Sequence, residues 1–209
     1  MKVLGITGGV GAGKSTILDY LNRRYHARII EADKVGHFLM EPGQKVYYRI
    51  VETFGSGILK GDQTIDRQKL GRLVFEDQEK LMKLNSLVHP AVKEYIASEI
   101  ERERKEGKVP FTAVEAALLI EDHYDTICDE LWYIYADEDV RRRRLAASRG
   151  YSSEKSDSIM KNQLPDEIFR ESCQFVIDNS SEIVQNTFEQ IDRGLKEHGI
   201  LLYCQRKYW

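Results

Sequence analysis

Cysteine is scarce in this chain. Cys128, Cys173 and Cys204 are the only three in 209 residues, far apart and without a C-x-x-C pair. That spacing argues against a disulfide framework or a thiolate zinc site and predicts reduced, partly buried thiols. Long apolar runs are also missing: no stretch of eighteen apolar residues exists, so no membrane-spanning helix is expected. The N-terminus has no basic region leading into an apolar core, so no secretory signal is expected and a cytosolic location is the default. Neither sign of charge dominates. Lys and Arg number 31 against 34 Asp and Glu, interspersed, for a formal charge of −3. That balance argues against nucleic-acid binding as the main function. There is no internal repeat, no low-complexity segment and no Asn-Lys-x-Asp guanine signature. His26, His123 and His198 lack ligand spacing. Glycines at i, i+2 and i+5 do not occur in the N-terminal glycine cluster, where the third place falls on Lys14 or Thr16, so a dinucleotide loop is excluded.

What the chain does have is Gly8-Gly9-Val10-Gly11-Ala12-Gly13-Lys14-Ser15-Thr16, a fit to G-x-x-x-x-G-K-[ST]. Lys2 to Thr7 before it reads as a buried strand, and Ser15 to Leu21 after it has helical periodicity. Glycines keep side chains away from an anion and allow positive φ, so loop amides turn inward onto phosphate oxygens. The helix N-terminus adds partial positive charge at the same point. Gly8, Gly9, Gly11, Ala12, Gly13, Lys14, Ser15 and Thr16 are therefore the expected nucleotide contacts. Lys14 reaches the β- and γ-phosphates, and the Ser15 hydroxyl is a Mg²⁺ ligand.

Strands and helices alternate along the rest. Strands are predicted over 27–32, 110–114, 131–135 and 175–177. Helices are predicted over 35–40, 44–54, from an Asp66 cap to about 75, and from an Asp77 cap through a long amphipathic stripe. His89-Pro90 should kink or divide that stripe. Further helices are predicted over 139–148, 153–163, 165–173 and from 181 to about 198. The aromatic tail from Gly199 to Trp209 should pack back on the body. The expected fold class is α/β, with a parallel sheet of about five strands wrapped by helices and a helical excursion between strands two and three.

Asp33, at the C-terminal end of the second strand, is a candidate general base or an N-cap. Glu115, ending the third strand, is either a metal-side acid or a structural acceptor. Arg141-Arg142-Arg143-Arg144 and Arg149 suggest a mobile cover for a transferring phosphoryl group. Four consecutive helical arginines cannot share one face, so one or two should reach the site and the rest should be solvated. His89 is either a substrate-phosphate contact or an ordinary helix-side histidine.

Taken in order, these stretches resemble the bacterial dephospho-CoA kinases. Gly5 to Thr16 is similar to that family's opening, Ala32-Asp33 and Glu41-Pro42-Gly43 to its D-A-D and E-P-G, and His89-Pro90 to its H-P. Leu118-Leu119-Ile120-Glu121 is similar to its P-L-L-F-E. Arg144-Leu145 to Arg149, Gln163, and Val176-Ile177-Asp178-Asn179 are similar to its R-L…R, Q and V-I-D-N. The resemblance runs from residue 1 to about 195. It implies one P-loop kinase domain over 1–209, with a helical substrate-binding segment over about 35–108 and a lid over about 141–165. It implies ATP-dependent phosphorylation of the ribose 3′-hydroxyl of dephospho-CoA, with Mg²⁺, in the last step of coenzyme A biosynthesis. It further implies Asp33 as base, Lys14 and Ser15 as phosphate and metal contacts, Arg144 and Arg149 as lid arginines, and Asn179 near adenine.

The chain departs from that pattern in four places. Gly36-His37 stands where Ala-Arg is usual, so His37 must serve on the substrate side. Ala117 replaces a proline, and Glu115 an aspartate. The lid arginines are five apart, about 140° of rotation on one helix, so Arg149 is expected past the helix end unless Arg144 pairs with another residue. Ser180-Ser181 replaces a glycine. Three other readings stay open at this point: another small-molecule kinase, an ATP-sensing module, and an RNA-binding protein using the arginines.

Overall fold

The computed structural model describes residues 1–201. Its elements run β1 (Lys2–Thr7), α1 (Lys14–Tyr25), β2 (Arg28–Glu31), α2 (Ala32–Leu39), α3 (Lys45–Phe54), α4 (Arg67–Phe75), α5 (Gln78–Glu106), β3 (Phe111–Glu115), β4 (Glu130–Tyr135), α6 (Glu138–Arg149), α7 (Ser153–Lys161), α8 (Asp166–Ser172), β5 (Phe175–Asp178) and α9 (Val184–Glu197). The strands form the expected five-stranded parallel sheet, in the order β2-β3-β1-β4-β5. β1 is paired on both sides, with Ile6 opposite Glu115 of β3 and Thr7 opposite Tyr133 of β4. A central parallel strand is covered on both faces, which is why Val3, Leu4 and Ile6 form an apolar run and are fully buried. The chain leaves β1 toward β2 on one side and later crosses to place β4 on the other. The C-terminal end of β1 is therefore the switch point at which α/β sheets bind ligands.

The chain folds into two compact units, one holding Met1–Ile30 and the chain from Arg102 on, the other Glu31–Glu101. In the first, Leu4, Ile6, Phe111, Trp132, Ile134 and Ile177 from the sheet pack with Ile17 and Leu21 of α1 and Ile191 and Leu195 of α9. Ile200 joins this core and Leu201 packs against it, so the tail does pack back over these two residues; Leu202, Tyr203, Tyr208 and Trp209 lie outside the described residues. Among the described residues no helix is long and apolar enough to cross a membrane.

In the second unit, two helix starts follow from their caps. Asp66 Oδ1 accepts from the backbone N–H of Gln68 and Lys69, and Asp77 Oδ1 from those of Glu79 and Lys80. The Tyr47 hydroxyl donates to the Gln63 carbonyl at 2.6 Å and ties α3 to the loop before α4. α5 is not divided at His89-Pro90; it runs unbroken past the proline. Leu87, Val92, Ile96 and Ile100, on both sides of Pro90, are all buried, and this shared apolar face offsets the roughly 3 kcal/mol that an internal proline costs.

Cys173, the residue that ends α8, is buried, and burial pushes its thiol up from about 9 to about 12. Between those values the unfolded chain gives up a proton that the folded chain retains, so stability falls as pH rises through that window. Burial also raises Tyr25 and Tyr133, which adds to the same slope. The expected result is a melting temperature that declines steadily above about pH 9, with a shallower decline in Cys173→Ala. Identical slopes in the two proteins would exclude the thiol as a contributor.

Candidate active site

The loop between β1 and α1 sits at the switch point, and two glycines have specific reasons to be there. Gly8 has φ 153°, and a Cβ on it would lie 2.5 Å from the backbone oxygen of Ile134 in β4. Gly13, the N-cap of α1, has φ 89°, and a Cβ there would strike the side-chain amide of Asn179. The first turn of α1 is wound tightly, with Thr16 N donating to the Gly13 carbonyl at 3.1 Å. The Ser15 amide, one residue earlier, precedes the first intrahelical bond, which leaves it among the helix-start donors suited to an anion. Ser15 and Thr16 are both exposed.

Lys14 opens α1. Its Nζ donates to the Gly8 carbonyl at 2.7 Å and lies 3.6 Å from Glu115 Oε1. Parallel pairing of β1 with β3 sets Glu115 opposite Ile6, two residues before Gly8, which explains why the acid reaches the loop's lysine. An amide nest that turns its N–H groups inward must turn carbonyls outward, and those need donors. Several side chains supply them. Arg141 Nε donates to the Val10 carbonyl at 2.9 Å. Asn179 Nδ2 donates to the Ala12 carbonyl at 2.7 Å, and Arg144 Nη1 approaches the same oxygen at 3.4 Å. Asn179 follows β5 directly and is buried. Its Oδ1 accepts from the Thr187 hydroxyl of α9 at 2.8 Å, so its side-chain amide bridges the helix to the loop.

The four consecutive arginines divide as helical geometry requires. Arg141 and Arg144, about 60° apart, face the loop. Arg142 bonds Glu138, Asp139 and Asp157, and these acids raise its pKa; the exposed Arg143 lies 3.7 Å from Glu182. Arg141 is partly buried, and burial is the main cause that lowers its pKa. Arg149 is still in the last turn of α6, with Gly150 as the left-handed C-cap, and its guanidinium lies 5.9 Å from the centre of the Tyr151 ring. The second arginine at the loop is thus Arg141 rather than one beyond the helix. Spacing of i and i+3 held that signal. Gln163, between α7 and α8, also reaches the loop: its Oε1 accepts from Val10 N at 3.1 Å and from Arg141 Nη2 at 2.6 Å. No local pattern marked it, because 153 residues separate it from Val10. A cavity of about 370 Å³ lies beside these groups, lined by Gly9, Tyr133, Tyr135, Arg141, Gln163 and Phe169 among others.

In the second unit, α2 begins at Ala32, directly after β2. Asp33 is therefore the second residue of the helix and exposed, not its N-cap; that position is Glu31, which makes no side-chain capping bond. His37 is exposed in the last turn of α2, and His89 is half-buried in α5. Gly36 packs toward Val88 and Val92, at distances where an added methyl would make ordinary contact. Among the described residues no cluster of three His, Cys, Asp or Glu could cage a metal. The oxygen donors at Ser15 and Glu115 instead suit a hard cation that is held mainly by substrate phosphates and water, the usual habit of Mg²⁺.

The family described as dephospho-CoA kinase (CoaE) matches residues 2–185. A Carboxydothermus hydrogenoformans dephospho-CoA kinase is 36% identical over 191 residues, 91% of each chain. Among solved structures, TT1252 from Thermus thermophilus is similar at 26% identity and TM-score 0.78, covering 94% of this chain and 97% of that one. Dephospho-CoA kinase from Campylobacter jejuni is similar in fold at 24% identity and TM-score 0.71, covering 95% and 100%.

Proposed function

The chain belongs to the dephospho-CoA kinase family, and we propose how its residues divide the work of that reaction. The reaction transfers the γ-phosphoryl group of ATP to the ribose 3′-hydroxyl of dephospho-CoA, giving CoA and ADP, the final step of coenzyme A biosynthesis. The family match across residues 2–185 carries this reading. A cytosolic setting accords with it.

The loop of Gly8 to Thr16 holds the ATP phosphates, with its carbonyls turned outward onto Arg141, Arg144 and Asn179. Lys14 exchanges its bond to the Gly8 carbonyl for the β- and γ-phosphate oxygens and follows the charge as transfer proceeds. Asp33 accepts the proton of the attacking 3′-hydroxyl. Its tether to the C-terminal end of β2, where α/β sheets bind ligands, supports that role. Ser15 and Glu115 stand on the metal side, Ser15 as a direct oxygen donor. Mg²⁺, when bound, neutralises charge shared by the β- and γ-phosphates. Arg144 and Arg141 offset negative charge on the transferring group and help to exclude water. The unit Glu31–Glu101, with His37 and His89, takes the remainder of dephospho-CoA, and the segment over about 141–165 is the lid.

Purified protein with ATP and Mg²⁺ is expected to release ADP only when dephospho-CoA is added, in equal amount to the CoA formed. Release with another nucleoside or sugar acceptor alone would overturn the acceptor assignment. No release from a folded, ATP-binding protein would point to a sensing role.

A further inference from the structure

We propose that Gln163 is a positioning residue for phosphoryl transfer: one side-chain oxygen clasps Arg141 and the phosphate loop together. The proposal rests on the kinase reading above, and deepens it.

Val10 lies in the half of the loop that precedes the α1 N-terminus, where no helix supplies bonding partners. Both of its backbone groups are nonetheless held, and by one pair of side chains. Arg141 Nε donates to its carbonyl at 2.9 Å, and its N–H donates to Gln163 Oε1 at 3.1 Å. The pair is closed by Arg141 Nη2 donating to the same Gln163 oxygen at 2.6 Å. A partly buried guanidinium needs acceptors for several N–H groups arranged in a rigid fork, and each one fixed narrows its orientation. Here those acceptors are a loop carbonyl and an uncharged amide oxygen. An uncharged acceptor orients Arg141 without neutralising it, so its cation stays available to a phosphoryl group.

The surroundings narrow the placement further. Arg141's guanidinium occupies the space where Gly9 would carry a Cβ, and its backbone and Leu145 Cγ pack within about 3 Å of where a Cβ on Gly11 would sit. The loop and α6 are thus fitted to each other, and Gln163 adds the segment between α7 and α8 to the same contact. Three stretches far apart in sequence meet at one oxygen. Any displacement of the segment between α7 and α8 therefore reaches Arg141 and Val10 together.

The test is steady-state kinetics on Gln163→Leu, which removes the acceptor at similar size, and on Gln163→Glu, which keeps an oxygen at the same place. Gln163→Leu is expected to lower kcat by between ~10-fold and ~10²-fold, with a smaller change in KM for dephospho-CoA, and Gln163→Glu to recover only part of the loss, because it restores the acceptor but neutralises Arg141. Because Gln163 shares one oxygen between Arg141 and the Val10 N–H, adding Gln163→Leu to Arg141→Met should lower kcat by clearly less than Gln163→Leu does alone. Wild-type kcat in Gln163→Leu, or additive losses in the double variant, would overturn the proposal. If Gln163→Leu does not fold, Gln163→Ser carries the same comparison. The wild-type protein is the control that separates the two readings. If it phosphorylated a different acceptor, the dephospho-CoA assignment would fall, and the same variants on that acceptor would still decide the role of Gln163.

Discussion

Asp33→Asn is expected to lower turnover by about 10²–10⁴ while leaving ATP affinity nearly unchanged. The substitution keeps the side chain's size and removes its charge together with its capacity to take a proton. A carboxylate at this position has two local functions to choose between, and the structure removes one. α2 starts at Ala32, so Asp33 is inside the first turn rather than at the cap, and Lys34 bonds Glu31 instead, at 2.6 Å. Calorimetric titration with ATP alongside steady-state rates checks both halves. Near-normal turnover in a folded Asp33→Asn protein would remove Asp33 from the chemistry, and a matching loss of ATP affinity would assign it to the loop's integrity instead.

Much of this architecture was legible in the sequence, and the places where it was not share a physical cause. Local chemistry was readable. Asp66 and Asp77 cap helices because their side chains bond amides two and three residues on, and the sheet's central strand is apolar throughout because both faces are covered. The expected start of the second helix at 35 was late by three residues, since Ala32 continues directly from strand to helix. The last helix was expected at 181 but starts at Val184, because Ser181 Oγ accepts from Ile183 N and holds a turn first. Pro90 was weighed by its local cost alone, whereas the buried stripe on both sides of it decides the outcome. At the site, the division of the arginines followed from helical angle once four in a row were counted, but which pair faced the loop depended on the acids around Arg142 and on where α6 packs. Gln163 and Asn179 could be quoted from a resemblance, yet their loop contacts span 153 and 167 residues of sequence and leave no periodic trace.

Lys14→Met should cost turnover about 10²–10³-fold, because it deletes a cation aimed at the charge that grows during transfer. On the role proposed above, in which Lys14 meets the bound phosphates as well as the transition state, the substitution should also weaken ATP binding. The same lysine has a second role that can be measured separately. Its Nζ donates to the Gly8 carbonyl and lies 3.6 Å from Glu115, whose side chain is only 13% exposed. Replacing it with methionine removes the positive charge beside a mostly buried carboxylate, which destabilises the fold apart from any effect on catalysis. Adding Glu115→Gln to Lys14→Met removes that carboxylate charge in turn. The double variant is therefore expected to regain melting temperature relative to Lys14→Met while regaining no turnover. Thermal denaturation and ADP release on the three proteins decide the matter. Recovery of turnover in the double variant would mean that Lys14 serves chiefly to neutralise Glu115 and that the phosphates are held by backbone amides alone.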